Sequence, residues 1–421
     1  MSRPYSQLQR QVLKLYKDYM IALRPGSPAK IEESAKPRIK QVVREEFRKN
    51  SFSLKKTHFV RIETLLRQGQ RRLEDLNEGR ITGISTCIVR SLFPKKCGLV
   101  SAFGYGSVAV PQHGRSTSNS QLDIILVVED PLKWHTVNLQ LNPTHYSGLA
   151  GLKSGYFLKN IVCKWPHPAV YYNPLVTWHD PSESFPSQVL KYGVVGIDRL
   201  LTDLNTWSDL YVGGRLQKPV VFVPQYEPKG NLSSSLNNNL RAALAFSLLQ
   251  LDFPLLEEDA LYHSLASISY RGDWRLYFGE DKKKIKRIIT GEPRRRRFRE
   301  LYLPIFSSEP FSSLFTLEVP CDLKSDLRIH SEKKGAIVEE LLDCLPTSIC
   351  QLAAQEFSSG SSRHKLARMS HEERRKRLLD SAASIVRWAS YRQTVLGLFS
   401  AGLSRSAIYS FAKFRKMLAS L

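Results

Sequence analysis

Two hydrophobic rhythms run along the chain. Leu8, Val12, Leu15, Tyr19 and Leu23 recur every three or four positions across residues 5–25, a spacing that lays one apolar stripe on a helix. "RPGSPAK" breaks that stripe. A second helix is predicted over about 36–49, with Pro37 in its first turn, where a missing N–H costs no hydrogen bond. A third is predicted over 57–79, between the possible cap Thr57 and Gly79. Together these make an all-α three-helix bundle over residues 1–85, with a joint at 86–97. The other rhythm is the near-continuous run "LDIILVV" at 122–128, the pattern of a strand buried on both faces, with Asp123 near its start. The final segment returns to helical spacing. Leu403, Ala407, Phe411, Phe414, Leu418 and Leu421 repeat at three to four, with Arg405, Lys413, Arg415 and Lys416 among them.

Charge adds a division that hydropathy does not show. Lys and Arg number 62 against 39 Asp and Glu, a net charge of +23. Residues 1–97 hold 22 basic and 9 acidic residues, residues 361–421 hold 13 and 3, and the stretch between them holds 27 of each. A neutral middle argues against a nucleic-acid partner, whose groove would have to be basic. Basic ends suit an anionic lipid surface or an acidic protein. The runs within 281–302 and 370–377 read as solvated helix faces. The six cysteines show no CxxC pair and no metal spacing with histidine, the pattern of a reducing compartment. No stretch of 18 apolar residues is present. The acid-free residues 1–17 fit a mitochondrial targeting helix as well as the first helix of a domain.

Candidate chemistry gathers at "AFGYGSVAVPQHGRSTSNSQLDIILVVEDP", residues 102–131. Gly104-x-Gly106-x-x-Ala109 matches a dinucleotide fingerprint, which requires a helix directly afterwards. Pro111, Gly114 and the Ser/Thr/Asn run that follows cannot form it. A glycine-serine turn at Gly104, Tyr105, Gly106 and Ser107 instead suits a triphosphate gripped by backbone N–H groups, with Asp123 offering a carboxylate to Mg²⁺. Nucleotidyltransferases usually carry Asp-x-Asp on that strand, and position 125 here is Ile. Glu129 shares the parity of Asp123 but lies roughly 20 Å along the strand. The second metal ligand is therefore expected elsewhere, at Asp203 or Asp273. Lys191, Arg215 and Lys218 are cations suited to phosphates.

Two resemblances make these expectations more specific. "SQLQRQVLKLYKDYMIAL", "VREEFRKN" and "FVRIETLLRQGQRRLEDL" resemble the LYR-motif mitochondrial proteins, most closely the succinate dehydrogenase assembly factors. Their Leu-Tyr-Arg stands here as Leu15-Tyr16-Lys17 and their phenylalanine as Phe47. Lysine keeps the charge but loses the bidentate fork of arginine. That resemblance implies contact with acyl carrier protein and with the iron–sulfur subunit, through Leu15, Tyr16, Lys17, Phe47, Arg67, Arg71 and Arg72. From about residue 98 onward, "GYGS", "DPLKWHTVNLQLNPTHYS", "VYYNPLV", "LKYGVV", "LLTDLNTWSDLYVGGRLQKPV" and "ASISYRGDWRLYFGED" occur in order. They resemble the mitochondrial translocator assembly and maintenance family of CDP-diacylglycerol synthases.

The second resemblance implies an α+β chain. A nucleotidyltransferase-like mixed sheet over 98–225 would precede a helical, winged-helix-like domain over 226–380 and a basic membrane-contact segment over 381–421. It implies CTP and phosphatidic acid as substrates, Mg²⁺ as cofactor, and cardiolipin synthesis on the matrix side of the mitochondrial inner membrane. Asp123 and Lys191 are the expected catalytic residues, and Gly104, Tyr105, Gly106, Ser107, Arg215 and Lys218 the nucleotide-binding ones. His135, His145 and Asn173 fall within further motif blocks. The rival class is a non-catalytic assembly scaffold with a decayed nucleotidyltransferase domain, for which Ile125 is the best support.

Overall fold

The structure is a computed structural model, which describes residues 7–25, 27, 36–53, 62, 66, 70, 73, 82–94, 97–110, 121–146, 159–160, 166, 168, 170–179, 187–252, 255–275, 284–289, 292–318, 327–331, 336–356 and 359–418. The chain divides into two compact units, residues 1–93 with 177–188, and 94–176 with 189–421.

In the first unit, α1 (Gln7–Ala22) and α2 (Lys36–Ser53) form over the predicted stripes. Leu15, Tyr19 and Leu23 are buried with Val43, Leu66 and Leu73, while Leu8, Val12 and Phe47 pack partly against them. The turn between the helices is tied by a buried lysine. Lys36 Nζ donates to the Arg24 carbonyl at 3.2 Å and to Ser27 Oγ at 3.0 Å. Ile62, Leu66, Gln70 and Leu73 are helical, and the rest of the predicted third helix, including Arg67, Arg71 and Arg72, lies outside the described residues. The expected joint at 86–97 overlaps a helix, α3 (Thr82–Leu92), and contains the division between the two units after Phe93. Ser85, Ile88, Val89 and Phe93 are buried at helical spacing, so this segment belongs to a core.

The second unit opens with β1 (Leu99–Tyr105), the single turn α4 (Gly106–Ala109), β2 (Leu122–Val128) and α5 (Pro131–Leu141). Then come β3 (Tyr171–Trp178), β4 (Gln188–Gly196), α6 (Ile197–Thr206), α7 (Gly213–Leu216) and β5 (Val221–Phe222). The strands form one mixed sheet in the order β3-β4-β2-β1-β5. β1 is antiparallel to β2 and β5, whereas β2 and β4 are parallel. An antiparallel β1–β2 pair is incompatible with the parallel strand–helix–strand unit of a dinucleotide fold. Ile124, Ile125, Leu126, Val127 and Val128 are buried, as a strand covered on both faces requires. Asp130 caps α5 by accepting from the Lys133 N–H at 3.0 Å, and Pro131 takes the first helical position.

The remainder is mostly helical: α8 (Gly230–Leu248), β6 (Leu255–Glu257), α9 (Glu258–Ser267), α10 (Lys284–Ile289), α11 (Glu292–Phe306) and α12 (Phe311–Leu314). After these come β7 (Thr316–Glu318), β8 (Arg328–His330), α13 (Ala336–Asp343), α14 (Thr347–Ala354), α15 (Ser359–Arg368) and α16 (His371–Leu418). β6, β8 and β7 make a second, antiparallel sheet. The cores interleave across the expected boundary at 225: Trp207 and Leu210 join the helical core, and Leu232 joins the core of the mixed sheet.

Two expectations about charged segments are corrected here. Arg294 and Arg299 of α11 are buried rather than solvated, and Arg299 forks onto buried Glu258 with both bonds at 2.6 Å. The first part of the 381–421 segment is built into the fold. Ala382 and Val386 join the helical core, and Gln393 bridges both backbone groups of Val170, accepting at 3.2 Å and donating at 2.6 Å. The side chains of 398–418 lie outside the described residues. Among the described residues, no helix is long and apolar enough to cross a membrane.

Candidate functional site

Strand register assembles the site. Asp123 of β2 lies beside Lys191 of β4 and opposite Tyr105 of β1. β1 ends in a turn at Gly106, whose φ of +82° favours glycine. A Cβ added there would stand 3.3 Å from Asp123 Oδ2, so the glycine also permits close approach to the carboxylate. Gly193 plays a second steric role. A Cβ at that position would stand 2.5 Å from the Tyr172 ring, and its absence lets the ring lie across the sheet. The Lys191 ammonium sits 4.2 Å from the centroid of that ring.

Two further cations, Arg215 and Arg275, join this face. The Arg215 guanidinium of α7 stacks 3.8 Å from the Tyr105 ring centroid, and its Nε is buried with no hydrogen-bond partner among the described residues. Lys218, just after α7, is instead buried in bonds to the Gly214 carbonyl and, at 2.6 Å, the Ser269 hydroxyl. Arg275 lies 5.7 Å from the Tyr211 ring centroid and holds Asp273 through Nε (2.9 and 3.1 Å) and Nη2 (2.6 Å).

The phenols feel these charges. Burial, reinforced by Asp123, pushes Tyr105 up to about 12. Burial works against the Arg215 charge, but Tyr105, Tyr172, Tyr211 and Tyr270 raise it above its ordinary value. Burial would raise Tyr211 as well, yet Arg275, Arg215 and Lys191 together bring it below the usual phenol range. The face is therefore a phenol-lined surface carrying Lys191, Arg215 and Arg275 against the carboxylates Asp123 and Asp273. Such a balance suits a polyanion.

The predicted residues fall into distinct places. Gly104, Tyr105, Gly106, Asp123, Lys191 and Arg215 are brought together. Ser107 opens α4, and its side chain lies outside the described residues. Asp203 and Asp273, expected as further metal ligands, are instead held in structural bonds. Asp203 accepts backbone N–H groups from Asp209 (3.1 Å), Leu210 (2.8 Å) and Gly213 (2.7 Å), closing the turn that starts α7. Asp273 is the partner of Arg275. Among the described residues, no group of three or more His, Cys, Asp or Glu could hold a metal. One carboxylate fits Mg²⁺ when substrate phosphates complete the shell, since this ion commonly takes only one or two protein carboxylates.

In the helical bundle, Leu15, expected at a partner surface, is a core residue. Phe47 packs edge-on to Tyr16, with centroids 5.1 Å apart, and Lys17 is exposed. Four members of the phenol-lined face, Tyr172, Gly193, Tyr211 and Arg275, escape the sequence reading. All four lie inside the blocks "VYYNPLV", "LKYGVV", "DLYVGGR" and "SYRGDWR". Strand parity is the signal that separates Tyr172 from Tyr171, once the face bearing Asp123 is known.

The opposite face of the sheet carries a hydrogen-bonded polar network. His135 Nδ1 lies 2.8 Å from the Tyr146 hydroxyl, and Asn138 Nδ2 donates to the Tyr146 (2.9 Å) and Tyr192 (2.8 Å) hydroxyls. His145 Nδ1 lies 2.9 Å from the Tyr192 hydroxyl. Burial pushes His135 down to about 3, so its ring is neutral. The motif "WHTVNLQLNPTHY" therefore clamps α5 and the segment after it onto β4, next to Lys191.

Comparison with known proteins supplies the family. Residues 88–416 match the family described as phosphatidate cytidylyltransferase, mitochondrial. The protein of that name from Mus musculus is 33% identical over 344 residues, covering 80% of this chain and 95% of the mouse protein. Its counterpart in Bos taurus is 34% identical over 343 residues, covering 80% and 95%. That of Schizosaccharomyces pombe is 32% identical over 330 residues, covering 76% and 80%. The matched region leaves α1 and α2 outside it and includes every residue of the phenol-lined face. The chain belongs to the mitochondrial phosphatidate cytidylyltransferase family.

Proposed function

We propose that the chain transfers a cytidylyl group from CTP to phosphatidic acid, giving CDP-diacylglycerol and pyrophosphate for cardiolipin synthesis. The observation that carries this reading is the meeting of Asp123, the Gly106 turn, Lys191 and Arg215 on one phenol-lined face. A phosphate oxygen of phosphatidic acid bonds to the α-phosphorus of CTP. The bond from that phosphorus to the bridging oxygen breaks, and pyrophosphate leaves with the electron pair. Little proton transfer is required, so alignment and charge neutralisation supply the rate. Asp123 would hold Mg²⁺ together with the phosphates of the nucleotide, and the ion would neutralise charge on the leaving group. Lys191 and Arg215 neutralise the triphosphate, and Lys218 adds positive potential from its bridging position. The mixed sheet with its glycine turn supports a nucleotidyltransferase-like arrangement, and the helices around the three-stranded sheet support a winged-helix-like one.

The mitochondrial names of the relatives support a mitochondrial address. The basic end of α16 supports peripheral attachment to the matrix side of the inner membrane. The α1–α2 bundle, with the Tyr16–Phe47 pair and exposed Lys17, supports an LYR-type role toward acyl carrier protein and the succinate dehydrogenase iron–sulfur subunit. The test is production of CDP-diacylglycerol from CTP, Mg²⁺ and phosphatidic acid liposomes by the purified chain, beside Asp123→Asn. Product from the unaltered chain alone is the expected result. No product from either, with liposomes still bound, would leave the scaffold reading in its place.

A further inference from the structure

Transfer between two anions needs two cationic seats, one for the triphosphate and one for the phosphomonoester that attacks it. Lys191 and Arg215 stand with Asp123 and Tyr105 at the Gly106 turn, which ties them to the triphosphate. Arg275 differs in origin and in surroundings. It follows α9 in the chain and meets the Tyr211 ring. Its side chain is 29% exposed, while its partner Asp273 is 1% exposed. A lipid headgroup enters from the bilayer, so the cation that receives it must reach the accessible rim. The fork from Nε and Nη2 to Asp273 fixes the guanidinium plane and aims the Nη1 side away from that carboxylate.

We propose that Arg275, held by Asp273 against the Tyr211 ring, seats the phosphomonoester of the acceptor lipid. This rests on the cytidylyltransferase reading above. The fields of Arg275, Arg215 and Lys191 overlap at the Tyr211 hydroxyl, the first of them most strongly. A phosphate seated by Arg275 beside that hydroxyl would therefore stand near the two triphosphate cations.

The test uses the full chain with a water-soluble, short-chain phosphatidic acid, which removes vesicle attraction from the measurement. Steady-state kinetics would be taken for Arg275→Lys and Arg275→Gln with each substrate varied in turn. The expected result is a KM for phosphatidic acid raised about tenfold or more, the scale of one lost charge-assisted contact. The KM for CTP, and direct CTP binding without lipid, should stay within about twofold of the unaltered chain. An unchanged KM for phosphatidic acid, or a rise confined to CTP, would overturn the proposal. Should Arg275→Gln fail to fold because Asp273 is left buried and unpaired, the double variant Arg275→Gln/Asp273→Asn restores neutrality and carries the same expectation. Absence of product from the unaltered chain overturns the cytidylyltransferase reading and this inference with it. Product with an undisturbed phosphatidic acid KM in the variants overturns this inference alone.

Discussion

The two faces of the mixed sheet use the same residue type for opposite ends. Tyr171 and Tyr172 are neighbours in β3, as Lys191 and Tyr192 are in β4, and the pleat sends the members of each pair to different faces. On one face, Tyr192 and Tyr146 bond to Asn138, His135 and His145. On the other, Tyr105, Tyr172 and Tyr211 lie against Arg215, Lys191 and Arg275. The bonds of the first network run among its own members and hold strands and a helix together. The second carries more positive than negative charge, a balance that the proposed triphosphate would complete. A tyrosine cluster is therefore read as scaffold or site from the charge of its partners, not from its own chemistry.

The strongest change should come from the charged face. Asp123→Asn should lower kcat by about 10³-fold, or roughly 4 kcal/mol in barrier, while the thermal midpoint stays close to that of the unaltered chain. A comparable loss of activity from a variant confined to the hydrogen-bonded face would undo the contrast.

Gly193→Ala tests the same contrast sterically. The added methyl meets the Tyr172 ring, and overpacking of this kind costs about 1–3 kcal/mol, read as a lower thermal midpoint together with reduced kcat. Tyr146→Phe probes the hydrogen-bonded face alone. Removing the hydroxyl leaves His135 and Asn138 without that partner, at about 1–3 kcal/mol of stability by denaturant titration. Its kcat/KM should remain within about twofold.

A pH dependence is confined to acid solution. His135 is held near 3 in the fold against about 6.5 when unfolded, so between those values the unfolded chain binds the extra proton. Its contribution to stability is present above about pH 6.5 and is lost as pH falls toward 3. His135→Gln should lose less stability than the unaltered chain over that window. Parallel pH profiles for the two would show that the ring is not held neutral.

Much of this was legible in the residues. The stripe of α1, the start of α2 at Lys36 and the doubly buried β2 follow from periodicity, because a single buried face imposes its own spacing. The Gly106 turn and Asp123 were legible because positive φ and a carboxylate inside an apolar run are both costly unless used. Asp203 misled, because an aspartate that caps a turn through backbone N–H groups looks in sequence like one that binds metal. The buried Arg299–Glu258 pair misled for a similar reason: its partners lie 41 positions apart.

Spacing and ordered motifs were enough to establish the helical stripes, the central strand, the glycine turn with its aspartate, and the family. Each of these depends on residues close together in the chain or on blocks met in a fixed order. The folded chain was needed to show that Lys191 stands beside Asp123, that Arg215 stacks on Tyr105 and that Arg275 reaches Tyr211 from beyond α9. Those neighbours come from strand register and from chain segments far apart in sequence, and neither leaves a periodic trace along the chain.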